Sequence, residues 1–193
     1  MNYGSEPGTT GATRLLSGYV ADDAISLLRE DHRRIDELFR QFDKARTDGE
    51  RGALAQRICT ELLIHARVEE EIFYPALREA CESAESEELM DEADIEHAMA
   101  DRLIEEIMRM RPGEDHYCAR VKVLGDYVRH HVQQEQNRMF SRARAARLDM
   151  RALGEQILER KKQLQRGVTI LRPLAMDVRT ITSGLQMHPL EAM

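Results

Sequence analysis

His65-Ala66-Arg67-Val68-Glu69 decides the fold once it is set beside its echo, His131-Val132-Gln133-Gln134-Glu135. In each stretch a Glu follows a His by four residues. On an α-helix that spacing stacks the two side chains on one face, one turn apart. Outward from the first pair, the same face carries Ile58, Leu62 and Ile72. Outward from the second it carries Val121, Leu124 and Val128, with Met139 close by. Both pairs thus lie on apolar stripes, where an ionisable side chain is costly unless something pairs with it. A metal ion is such a partner.

Two further helices repeat the theme. Ile25, Leu28, His32, Ile35, Phe39 and Phe42 recur at steps of three and four, so the first helix carries one His in its core-facing stripe. Asp22 is its expected N-cap, and Asp31, Arg33, Arg34, Asp36 and Glu37 are expected mostly on its solvent side. Thr47-Asp48-Gly49-Glu50 is a capping box that opens helix two. That helix runs through Phe73-Tyr74-Pro75, with a kink expected at Pro75, to about Cys81. After a Ser/Glu-rich turn at 82–88, helix three covers about 88–110, with His97, Asp101, Ile104 and Met108 on one face. Arg111-Pro112-Gly113 ends it, and Asp115 is expected to cap helix four, which reaches about 144. A fifth amphipathic stretch, about 150–165, carries Leu153, Ile157 and Leu164 and a basic Arg160-Lys161-Lys162; past Gly167 no period is visible.

The expected architecture is all-α: an up-down-up-down four-helix bundle with an additional C-terminal helix and tail. The expected division is a flexible leader at 1–20, the bundle at 21–147, and the C-terminal helix and tail at 148–193.

Composition agrees with this class. The 193 residues are 42% hydrophobic and 33% charged, with no Trp and five Pro, and such a balance favours helices over sheets. A net charge of −7 argues against nucleic acid as a partner. No apolar run is long enough for a bilayer, and the first residues lack the basic and apolar regions of a secretion signal. The three cysteines, Cys59, Cys81 and Cys118, form no CxxC and read as free thiols of a reducing cytoplasm.

In an up-down bundle, the middles of neighbouring helices lie at one level. His32, His65, His97 and His131 each fall near the middle of their own helix, with Glu69 and Glu135 one turn further along two of them. A lone core His is ordinarily satisfied by hydrogen bonds. Six ionisable groups in one core are severely destabilising without a cation, so the set reads as a metal site. Imidazole and carboxylate without thiolate suit iron, manganese or zinc. Two carboxylates from opposing helices can each bridge two ions, which makes a dinuclear centre economical. Asp101 shares a face with His97 and is either a seventh ligand or a rim Asp near Arg102. Helical phase selects His131 over His130. Glu70 and Glu71 are expected to point to solvent, and Tyr74 and Tyr127 are either core aromatics or hydrogen-bonding neighbours of the site.

Asp23 to Leu28 with Asp31-His32-Arg33, His65 to Pro75, Glu96-His97 with Leu103-Ile104, Tyr127 to Phe140, and Leu153-Gly154 with Arg160-Lys161 of the fifth stretch carry a resemblance. On these stretches the chain resembles the bacterial haemerythrin-like, or HHE cation-binding, proteins. The resemblance covers about 22–165. It implies an up-down bundle holding two non-haem irons, oxo- or hydroxo-bridged, with manganese or zinc as lesser alternatives. By that resemblance His32, His65, His97 and His131 are terminal ligands, and Glu69 and Glu135 are bridges. Oxygen-carrying members have a second His four residues after the helix-three His, where this chain has Asp101. They have an Asp five residues after the helix-four His, where this chain has Gln136. A site poorer in His and richer in carboxylate favours the ferric state. That directs the expectation away from simple oxygen carriage and towards sensing or buffering of dioxygen, iron or redox state. The alternatives are an enzyme acting on hydrogen peroxide or ferrous iron, and a structural interaction module whose C-terminal segment docks a partner or a second copy of the chain.

Overall fold

Asp23 starts the first helix: its carboxylate accepts a hydrogen bond from the Ser26 backbone N–H at 2.8 Å. The cap is therefore one residue later than expected, and Asp22 lies outside the described residues. The structure is a computed structural model and describes residues 23–81 and 83–171; the leader and the end of the tail lie outside them.

Helix α1 (Ala24–Lys44) is followed by α2 (Asp48–Val68), which opens with the Thr47/Glu50 capping box that the sequence announces. A five-residue π-helical turn, Glu69–Phe73, joins α2 to α3 (Tyr74–Ala80). Helix α4 (Ala84–Arg109) is capped by Ser83, so it begins several residues earlier than the Ser/Glu-rich composition suggests. Gly113 turns the chain at φ +93°, a conformation open to glycine. Helix α5 (Tyr117–Gln134) is then entered from His116 at φ 68°, with no side-chain cap, so Asp115 does not have the capping role expected of it. A second π-helical turn, Glu135–Met139, leads to α6 (Phe140–Ala145). The fifth helix, α7 (Met150–Leu171), continues through Gly167, past the expected end near residue 165.

Helices α1, α2, α4 and α5 form the four-helix bundle, each packed against its chain neighbours, with α1 also against α5 and α2 against α4. Helix α7 lies outside the bundle, across α1, α2 and the first π turn. Its Leu153, Ile157 and Leu164 are buried in the core of its own chain, so this stripe is not on offer to a second copy. Among the described residues no helix is long and apolar enough to cross a membrane.

The core is in two parts. One gathers Leu28, Val68, Phe73, Phe140 and Ile157; the other gathers Ile35, Leu62, Ile104 and Leu124. His32 lies between Leu28 and Ile35, and each of the other three core histidines likewise stands in a gap between the two parts. The polar groups thus form a layer across the bundle.

Candidate metal centre

Both π turns begin at a carboxylate of that layer. Pro75 has no N–H to give to the Glu71 carbonyl, so the α2–α3 rod cannot keep its i−4 ladder there. The ladder widens instead, and the Tyr74 N–H reaches the Glu69 carbonyl. In the α5–α6 rod the Phe140 N–H reaches Glu135 in the same way, with no proline to require it. The extra residue in each turn shifts the phase of everything after it. Tyr74, five residues after Glu69, is fully buried where an unbroken α-helix would turn it well away from that carboxylate, and Phe140 repeats the pattern five residues after Glu135. The echo first seen as His-x-x-x-Glu therefore extends for three turns of helix.

The six core groups converge. His32 Nε2 and His65 Nε2 are 2.9 Å apart, and His97 Nε2 and His131 Nε2 are 3.2 Å apart. Glu69 lies between the pairs, with carboxylate oxygens 3.1 Å from His65 Nε2 and 3.5 Å from His97 Nε2. Glu135 approaches His32 Nε2 at 3.2 Å. Two sets of donor atoms result, each within 4.8 Å and each able to hold a cation: His32, His65, Glu69 and Glu135 in one, and Glu69, His97 and His131 in the other. Glu69 is common to both.

A second layer orients the rings. His97 Nδ1 meets Glu70 at 3.0 Å and His131 Nδ1 meets Glu96 at 2.7 Å. The Gln136 amide reaches His32 Nδ1 at 3.2 Å, and Asp31 Oδ2 faces His65 Nδ1 at 3.5 Å. A carboxylate only accepts, so His97 and His131 carry their protons on Nδ1 and turn Nε2 lone pairs towards each other. Facing lone pairs repel unless a cation or a proton stands between them. Two nitrogen ligands held at right angles about 2.0–2.1 Å from one ion are themselves about 3 Å apart, which is the spacing within each pair. Both carboxylates are fully buried, and none of their four oxygens has a hydrogen-bond partner. The residues present thus fit a cation better than they fit one another.

The electrostatics carry the same mark. Burial and the neighbouring Glu135 push the Glu69 carboxyl well above the usual carboxylate range. Burial would raise Glu135 too, but His32 and the other imidazoles outweigh it and hold it at about 2. Burial pulls His131 below its ordinary value; at His97 the Glu70 and Glu69 carboxylates outweigh the same pull and raise it.

Asp31 and Glu70 differ from expectation, whereas Glu71 is exposed as expected. Asp31, assigned to the solvent side, is 1% exposed: it is where Arg34, Lys161 and His65 meet. Glu70 turns to His97, and Glu71 forms a two-pronged ion pair with Arg160 at 2.6 and 3.0 Å. Tyr74 has its hydroxyl 3.4 Å from both His97 Nε2 and His131 Nε2. Asp101 is half-buried on the wall of an adjoining cavity and belongs to neither set of donors. His130 faces solvent and contacts Gln134, leaving His131 as the inward ring. The cavity, of about 40 Å³, touches all four site histidines and is otherwise lined mainly by Ile35, Leu62, Ala100, Ile104 and Val128, with Tyr127.

The hemerythrin HHE cation-binding domain model matches residues 23–143, and the chain belongs to that family. A crystal structure of an HHE cation-binding domain-containing protein from Mycobacterium kansasii superposes with a TM-score of 0.70 at 24% identity, over 86% of this chain and 99% of that one. A curated protein named DNA nickase, from Nostoc sp., is 30% identical over 118 residues, which are 61% of this chain and 32% of the relative. The chain thus spans about a third of the length of that relative.

Proposed function

We propose that the chain is a non-haem di-iron protein that binds dioxygen or a related small molecule and serves to sense or buffer it. The observation that carries this reading is the pair of buried, hydrogen-bond-free carboxylates between two pairs of imidazole nitrogens. His32 and His65 would hold one iron and His97 and His131 the other. Glu69 would serve both, and Glu135, which stands in the His32–His65 set, would serve the first and by the family resemblance reach the second. Imidazole and carboxylate suit iron, and a carboxylate shared by two donor sets suits two ions. When bound, the irons would supply a redox couple for a small oxygen-containing ligand. The protein's own groups do the rest. Asp31, Gln136, Glu70 and Glu96 hold the rings. The adjoining cavity is small and mostly apolar, which suits a ligand of a few atoms. The free cysteines accord with a cytoplasmic setting.

A second reading, turnover of hydrogen peroxide, draws on Tyr74, whose hydroxyl is a proton donor already inside the site. The nicking activity of the Nostoc relative belongs to a much longer protein, and the net charge of −7 gives this chain no general attraction for DNA.

Elemental mass spectrometry of protein from iron-replete cells tests the reading, together with near-ultraviolet spectra through a cycle of reduction and re-aeration. About two irons per chain and a band that bleaches and returns are expected. A single zinc, or iron with no redox-linked band, overturns it. Oxygen release from peroxide above that of free iron would move the second reading to the front.

A further inference from the structure

Helix α7 begins after the last residue matched by the family model, yet it contributes a charge to the outer layer of the centre. Leu153, Ile157 and Leu164 set a buried stripe on α7, and Lys161 falls within that stripe between Ile157 and Leu164. Its side chain is 11% exposed, and its ammonium pairs with Asp31 Oδ1. Arg34 donates to the same oxygen at 2.8 Å. The other oxygen, Asp31 Oδ2, faces His65 Nδ1 at 3.5 Å, and neither of those two atoms has a hydrogen bond to anything else. Each is the other's available partner.

The four histidines are not alike in this respect. The Glu70 and Glu96 side chains are 22% and 17% exposed, so water can solvate them. The Asp31 side chain is 2% exposed and depends on its cations. A second tie, Arg160 to Glu71, joins α7 to the π turn that begins with Glu69.

We propose that Lys161 is a positioning residue of the centre: by holding Asp31 it fixes the His65 ring with its proton on Nδ1 and its Nε2 free for a cation. This rests on the metal-binding reading above. Lys161 touches neither His65 nor any other donor. It acts through one carboxylate, so its effect falls on the His32–His65 half and leaves the His97–His131 half as it was.

The test is a calorimetric titration of metal-free full-length protein with Zn²⁺ alone. Wild type, Lys161→Met, Lys161→Arg and Leu164→Ala are compared, the last disturbing α7 packing without touching Asp31. Wild type is expected to take two ions, and Lys161→Met to bind one of them about 10-fold or more weakly with the other unchanged, the usual scale for an outer-layer partner. Lys161→Arg restores the affinity, whereas Leu164→Ala lowers thermal stability and leaves both affinities in place. Nitrogen NMR of the metal-free wild type gives a readout that needs no variant to fold: His65 is expected to be protonated on Nδ1. The proposal is overturned if Lys161→Met binds both ions as wild type does, if both sites weaken together, if Leu164→Ala mimics it, or if His65 is protonated on Nε2. A wild type that takes no cation overturns the metal-binding reading as well. A wild type that binds two ions while Lys161→Met binds them equally well removes this inference alone.

Discussion

Glu69→Leu should change stability in opposite directions with and without metal. Glu69 is fully buried, and neither of its oxygens has a hydrogen-bond partner. In the metal-free protein it is a polar group removed from water with no hydrogen bond in return, and the imidazoles beside it offset only part of that cost. Leucine has nearly the same volume and no such cost. Replacing buried ionic groups with apolar ones of similar size commonly stabilises by about 1–4 kcal/mol. At about 2–4 °C per kcal/mol for a chain of this length, the metal-free Tm should rise by roughly 2–16 °C. The loaded wild type gains about 2.7 kcal/mol for each site filled at a hundredfold excess over Kd. The variant has lost the one donor common to both sets and should forfeit most of that gain. Differential scanning calorimetry of both proteins, with chelator and with saturating metal, reads all four values. The order should invert between the two conditions. A metal-free variant less stable than metal-free wild type would refute the reasoning, because the carboxylate would then be satisfied by the protein itself.

Asp101→Asn should leave the number of bound cations unchanged by elemental analysis, since Asp101 belongs to neither set of donors; loss of one ion would make it a ligand. Ile157→Ala deletes a fully buried side chain of α7 and should cost about 2–5 kcal/mol in urea unfolding. No change there would mean that α7 is not docked on the bundle. Backbone N–H groups of Arg46 and Thr47 hold the Glu50 carboxylate below its usual 4.5. A group whose folded pKa is depressed stabilises above its unfolded value and loses that contribution as pH falls through the folded one. Stability of Glu50→Gln should therefore fall less steeply below pH 4.5 than that of wild type; identical slopes would mean the cap carries no charge-dependent part.

What could be read in the sequence depended on period. His32, His65, His97 and His131 sit on clean stripes of three and four, and the structure buries all four at one level of the bundle. Spacing also brought Glu69 and Glu135 among them, because each is a single helical turn from its His and still within regular α-helix phase. Beyond those two residues the phase slips. The first π turn brings Tyr74 to the imidazoles, and the second buries Phe140. Pro75 signalled an irregularity in the first rod, but a missing N–H does not say whether the chain kinks or widens. In the second rod no proline or other helix breaker within the turn announced it.

The outer layer was hidden for a different reason. Asp31 is next to His32 and stands at the edge of the apolar stripe of α1, three residues after Leu28 and four before Ile35, and its charge, not its phase, assigned it to water. It is buried because α7 crosses α1 at that point and supplies Lys161. No pattern within α1 reveals that partner: it requires knowing where a helix more than a hundred residues later will lie. Glu70 is the same case across the α2–α4 contact, where His97 supplies the partner. Donors that face a shared cation are constrained by one helix at a time, and their spacing shows it. The groups that orient those donors are constrained by pairs of helices, and only the assembled bundle brings them into view.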